Sequence, residues 1–231
     1  MTSAVQRGLG ARLYDWLDER TGVKPIVDDF TNHPVPEHVN PLRHPLAVVY
    51  CFGGIAFFLI LLLVGSGLFL TMFYVPTAEH AQTSIKFLET TVPLGTVVRG
   101  MHRWAAALLV LMLGLHMARV YVHGAYRRPR ELNWMTGVFL LATVLTFGIT
   151  GYALRWDVQA YTLVLVVRNT FEVSPVIGPV LAAIFLGGSA TGEVPLSRGF
   201  TMHVWLLPAI VAGLLLLHFL MVRKQGISRP L

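Results

Sequence analysis

The chain has 231 residues, of which 55% are hydrophobic and only 13% charged. Soluble domains carry about 25% charged residues, so the composition excludes an ordinary water-soluble protein and points to a membrane. The net charge of +6 raises nucleic acid as a partner, but the basic residues flank apolar runs and form no basic face, which excludes it.

The first 45 residues are polar and show no cleavable signal peptide. Within them LGARLYDWLDER has the pattern of an amphipathic surface helix. Leu13, Trp16 and Leu17 share one face, and Asp15, Asp18 and Glu19 lie elsewhere. Four apolar stretches follow, at about Leu46–Tyr74, Val98–Val122, Leu132–Leu154 and Phe200–Val222. Each has about 20 residues or more, enough to cross roughly 30 Å of hydrocarbon. Between the third and fourth, residues 155–198 contain the apolar pieces TLVLVV and VIGPVLAAIF. These are too short to span and read as interfacial helices. A single cysteine, Cys51, precludes a disulfide within the chain.

Loop charges orient the bundle. Arg127, Arg128 and Arg130 lie between the second and third spans. Arg223, Lys224 and Arg229 follow the fourth, and Arg7, Arg12, Arg20, Lys24 and Arg43 precede the first. The positive-inside rule therefore predicts both termini in the cytoplasm. The expected architecture is an all-α integral membrane protein with a cytoplasmic N-terminal segment (1–45), a four-helix domain (46–222) and a cytoplasmic tail (223–231).

Of the nine histidines, His102 and His116 fall in the second span and His203 and His218 in the fourth. An ionisable side chain inside a span is expensive and marks a functional site by default. His102 and His116 are 14 residues apart, which at 100° per residue returns within about 40° of the starting face and rises about 21 Å. His203 and His218 are 15 apart, an offset of about 60° and about 22 Å. Both helices run from outside to inside, so His102 faces His203 and His116 faces His218. Two bis-histidine sites result, too far apart for one metal ion and suited to two haems.

Gly53 and Gly67 on the first span repeat the 14-residue period, as do Gly137 and Gly151 on the third. A missing side chain there admits a macrocycle edge, although glycine also serves helix packing in membranes. Arg99 and Arg103 flank His102, and Arg119 and Arg223 follow His116 and His218. All four are candidates for haem propionates, since guanidinium binds carboxylate bidentately.

The stretches RGMHRWAAALLVLMLGLHMARVY, RRPRELNWMTGV, FGITGYALRWD and MVRKQGIS occur in an order and spacing that resembles cytochrome b of the b6f type. The resemblance covers nearly the whole chain, and PEHVNPLRHPLAVVYCFGG is similar to the b subunits of bacterial menaquinol:cytochrome c reductases. It implies b-haem ligation by His102 and His203 outside and by His116 and His218 inside. Cys51, in YCFGG, would carry a third, covalently attached haem, c(i) or c(n). Asp29 and Arg223 would lie near an inner quinone site.

The implied function is the haem-carrying core of a quinol:cytochrome c (or plastocyanin) oxidoreductase. Electrons from quinol oxidised outside would pass through the two b haems to the cytoplasmic-side quinone site, coupled to proton translocation. The implied partners are a second cytochrome b fragment resembling subunit IV, a Rieske iron–sulfur protein, a c-type cytochrome and membrane lipid, in a dimeric complex. The implied location is a bacterial cytoplasmic membrane or a thylakoid membrane. One departure stands out: the family usually has proline between Leu154 and Trp156, where this chain has Arg155. Two rival classes make different predictions. A di-haem anchor of a dehydrogenase or hydrogenase would lack a covalent haem, and a transporter with buried histidines would be colourless.

Overall fold

The computed structural model describes residues 9–21, 51–187 and 193–227, and these are helical with no strand among them. The first helix, α1 (Leu9–Thr21), leaves Leu13 and Trp16 about half exposed, at 58% and 49%. The Arg20 guanidinium lies 4.3 Å from the centre of the Trp16 ring. An exposed apolar face bordered by charge is the pattern of a helix lying in a membrane interface.

Four segments are long and apolar enough to cross a bilayer. They are α2 (Phe52–Thr71), α4 (Gly95–Val122), α5 (Glu131–Ala153) and a fourth rod over Val194–Gln225. Phe58, Leu68, Phe139 and Leu216 point outward and are mostly exposed, as lipid-facing side chains must be. Ala56, Leu59, Ala105, Leu109 and Val144 form the buried core at mid-height.

On one side of the bundle, α3 (Ala81–Thr90) links α2 to α4. On the same side α6 (Val158–Val173) and α7 (Gly178–Phe185) correspond to the two apolar pieces expected to be interfacial. The start of α6 is capped by Asp157, whose carboxylate accepts the Ala160 N–H at 2.9 Å.

The fourth rod is not uniform. It comprises α8 (Glu193–Thr201), a π-helical turn over Met202–Leu206, and α9 (Leu207–Gln225). At the π turn the Leu207 N–H bonds the Met202 carbonyl, five residues back. Pro208 follows at once; lacking an N–H, it leaves a carbonyl of that turn without its α-helical partner. A π turn takes up one extra residue. The 15-residue spacing of His203 and His218 thereby recovers the phase that 14 residues give on α4. The final helix also extends through Gln225, so Arg223 and Lys224 belong to its last turn. Cations there oppose the negative end of the helix dipole, and Gly226, at φ 70, ends the helix.

Packing divides the bundle into two antiparallel helix pairs. α2 lies along α4, and α5 lies along α9, while contact between the pairs is much sparser. At the start of α4, a Cβ on Gly95 would sit 1.9 Å from the Leu88 carbonyl oxygen. Gly95→Ala should therefore destabilise the protein by about 1–3 kcal/mol, read as a lowered thermal midpoint in detergent. An unchanged midpoint would mean the α3–α4 corner opens freely.

Candidate functional site: two facing imidazole pairs

The structure brings the four membrane histidines together as two pairs across the seam between the helix pairs. The rings of His102 and His203 have centroids 6.3 Å apart. Those of His116 and His218 are 6.5 Å apart. In the orientation that the loop charges predict, the first pair forms the outer level and the second the inner level. A metal–nitrogen bond of about 2 Å on each side, plus about 1 Å from nitrogen to ring centre, gives roughly 6 Å between centroids. Both pairs thus stand at the separation needed for one metal between them. No cluster of three or more metal-binding side chains occurs among the described residues, so each level offers two imidazoles and nothing more.

Each histidine is seated by one glycine of the helix beside its own. A Cβ on Gly67 would meet His102 Cε1 at 3.3 Å, and one on Gly53 would meet His116 Cε1 at 3.1 Å. On the other helix pair, a Cβ on Gly151 would meet His203 Cε1 at 2.6 Å, and one on Gly137 would meet His218 Cε1 at 3.8 Å. The gap at each glycine is filled by an imidazole ring, where the glycine repeat predicts a macrocycle edge. The reason is antiparallel packing: a 14-residue period on one helix meets the same period on its neighbour, level by level.

Around the inner pair lies a cavity of about 250 Å³, bordered by His116, His218, Gly53, Gly137, Arg119, Arg130 and Asn133. Its walls are mostly apolar, yet Arg130 Nε, Asn133 Oδ1 and His218 Nδ1 are buried with no hydrogen-bond partner among the described residues. Buried polar groups are ordinarily satisfied, so this cluster marks a place built for a polar ligand group. Arg130 is held in position by donating Nη2 to the Gln225 carbonyl at 3.1 Å. In the sequence Arg130 reads only as a topology charge, and no motif singles out Asn133.

Cys51 is half-buried just before α2, two residues from Gly53. Arg119 borders the inner cavity and Arg223 is half-buried in the last turn of α9. On the outer side Arg103 is exposed, and Arg99 forms an ion pair with Glu89 of α3, a partner that sequence spacing does not foretell. Asp29 lies outside the described residues.

Residues 37–226 match the family described as Cytochrome b/b6/petB. The chain belongs to the cytochrome b/b6 family. It is 46% identical over 221 residues to the menaquinol:cytochrome c reductase cytochrome b subunit of Geobacillus thermodenitrificans, covering 95% of this chain and 99% of that one. Cytochrome b6 of Auxenochlorella protothecoides is 43% identical, with 96% and 100% covered. Among solved structures, a chain of a hyperthermophilic respiratory Complex III superposes with a TM-score of 0.78 at 27% identity. That match covers 94% of this chain and 56% of the other, so this chain spans little more than half of that longer one.

Membership of the cytochrome b/b6 family carries b-haem binding with it and sets aside the transporter reading. The residues present fit such a group. Two imidazole pairs stand at ligating separation, glycines seat the rings, and residues bordering the inner cavity carry buried, unpartnered polar atoms. If the glycine seats matter, alanine should harm b-haem content in the order of crowding: Gly151 most, then Gly53 and Gly67, and Gly137 least. Reduced-minus-oxidised spectra of the purified complex would measure this. Equal loss at all four positions would show that ring crowding is not the determinant.

Proposed function

We propose that this chain is the electron-transfer core of a membrane quinol oxidoreductase, with His102 and His203 ligating an outer b haem and His116 and His218 an inner one. The observation that carries the reading is the pair of facing imidazoles at 6.3 and 6.5 Å across one seam. Family membership supports the class of complex, since relatives are named as cytochrome b of a menaquinol:cytochrome c reductase and as cytochrome b6. When bound, each haem supplies one-electron oxidation and reduction.

The residues divide the remaining work. Each imidazole offers a lone pair toward its partner, and the glycine behind it lets the ring sit back against the neighbouring helix. The apolar layer of Leu59, Leu109 and Val144 keeps water from the space between levels. At the inner level, Arg119, Arg130 and Arg223 are the proposed propionate cations. At the outer level Arg103 takes that role, with Arg99 shared with Glu89. Cys51, at the start of α2, is proposed to bond a third haem covalently through its sulfur. Asp29 is proposed to border an inner quinone site.

Quinol is oxidised on the outer side, and electrons pass inward through the two levels to a quinone on the cytoplasmic side, with protons released outside. The complex then includes a second cytochrome b fragment, a Rieske iron–sulfur protein and a c-type cytochrome, assembled as a dimer. Both termini face the cytoplasm in a bacterial or thylakoid membrane, as the loop cations favour.

Arg155, where the family usually has proline, is the departure with consequences for the outer side. Its N–H donates to the Tyr152 carbonyl at 3.2 Å, a bond proline cannot make. Its guanidinium pairs with Asp157 and lies 5.0 Å from the Tyr152 ring centre. The Ala160 N–H, aided by Arg155, holds the Asp157 carboxyl below its usual range. Tyr74 and Gln82 donate to the carbonyls of Leu154 and Trp156 at 2.6 and 2.7 Å, so the turn is braced against the α2–α3 connection.

The deciding experiment is haem analysis of the purified complex. Two extractable b haems, with a third staining this band on a denaturing gel and lost in Cys51→Ala, are expected. Two b haems with nothing covalent would remove the Cys51 role, and a colourless complex would overturn the reading. A second test concerns the outer pocket. Arg155→Pro should alter the KM for quinol or the sensitivity to outer-site inhibitors, and unchanged values for both would separate Arg155 from the pocket.

A further inference from the structure

The two levels are not equivalent in what stands behind their imidazoles. At the outer level, a buried hydroxyl contacts each ring at Nδ1. Ser66 Oγ lies 2.8 Å from His102 Nδ1, and Thr150 Oγ1 lies 3.1 Å from His203 Nδ1. Both hydroxyl residues are buried, at 4% and 6% exposure. Each immediately precedes the glycine that seats the same ring, Gly67 and Gly151.

The direction of these bonds is set by what else the hydroxyls do. Ser66 Oγ donates to the Leu62 carbonyl at 2.7 Å, and Thr150 Oγ1 donates to the Thr146 carbonyl at 2.9 Å. A hydroxyl has one proton. With it given to the helix backbone, only a lone pair is left for the imidazole, so Nδ1–H is the donor. The chain Nδ1–H to Oγ–H to carbonyl is polarised in one sense. It fixes the tautomer of both rings with the Nε2 lone pair free.

The inner level lacks this device. The residue before Gly53 is Phe52, which has no hydroxyl. The residue before Gly137 is Thr136, whose Oγ1 donates to the Leu132 carbonyl at 2.9 Å. Yet His218 Nδ1 is buried with no hydrogen-bond partner among the described residues. The hydroxyl contacts on His102 and His203 are what set the outer pair apart.

We propose that Ser66 and Thr150 are positioning residues that hold the Nδ1 protons of His102 and His203 and thereby lower the midpoint potential of the outer haem relative to the inner one. The inference rests on the haem assignment proposed above. A hydrogen-bonded Nδ1–H makes imidazole a more basic ligand. A more electron-rich axial pair favours the ferric state, which lowers the potential. Electron passage from the outer to the inner level is then downhill because of groups that touch neither iron nor substrate.

The test is an optical redox titration of the two b haems in the intact complex. Ser66→Ala and Thr150→Val should retain both haems and raise the outer midpoint, the double variant more than either. A tenfold shift in the ferrous-to-ferric ratio at fixed ambient potential corresponds to about 59 mV, and the double variant should approach it. Ser66→Thr and Thr150→Ser should restore the parent value, and Thr136→Ala should move neither potential. An unmoved outer midpoint in the loaded variants, or an equal shift from Thr136→Ala, overturns the proposal. If Ser66→Ala does not accumulate, Ser66→Cys serves in its place, since a thiol is a weak acceptor of similar size; an unmoved midpoint there is equally fatal. His102→Ala assigns the components and tests the underlying reading separately. It should delete the outer haem alone, and retention of both haems would overturn the ligand assignment whatever the hydroxyl variants do.

Discussion

The fold depends on two imidazoles meeting across a seam at two heights. Everything near the seam serves that requirement. The helices that carry the rings are each backed by a neighbour whose side chains would collide with them. Glycine relieves that crowding at Gly151, Gly53 and Gly67, while at Gly137 a Cβ would make only an ordinary contact with His218. The consequence is a bundle that is dense within each helix pair and open between them, the reverse of a uniformly packed core. Aliphatic side chains close the middle of the seam, so the two heights remain separate.

Periodicity is what makes this economical. Two antiparallel helices with the same repeat keep their special positions aligned at both levels, so a single spacing serves imidazole and seat. The fourth span breaks the repeat by one residue and mends it within the π turn beside His203. Pro208 explains why the turn widens there. Without the π turn, His203 and His218 would diverge by about 60° around their helix, and one of them would leave the seam.

Much of this is legible in the amino-acid sequence itself. The spans are legible because a bilayer demands about twenty apolar residues. The histidine and glycine repeats are legible because helical phase is simple arithmetic. Other features are not. A serine or threonine in a membrane helix usually bonds its own preceding turn, and the place before a repeat glycine that Ser66 and Thr150 hold is shared by Thr136, which makes no histidine contact. Arg130 reads as one more loop cation until Gln225 of another helix is seen to position it. Arg99 sits near His102 in sequence, and only the placement of α3 brings Glu89 to it. The 15-residue spacing is visible but passes for angular scatter, because no sequence rule forecasts a π turn. Asp29 lies outside the described residues, so its role rests on resemblance alone.

The division into two helix hairpins bears on how such a protein matures. Each hairpin can enter the membrane as a unit, since the close glycine contacts are internal to it and the connecting segment carries the anchoring cations. Neither hairpin by itself contains a complete pair of imidazoles. On the haem assignment proposed above, a prosthetic group bound between the hairpins would act as their clasp. Without that clasp the hairpins would stay joined by the α4–α5 loop and by their sparse mutual contacts alone.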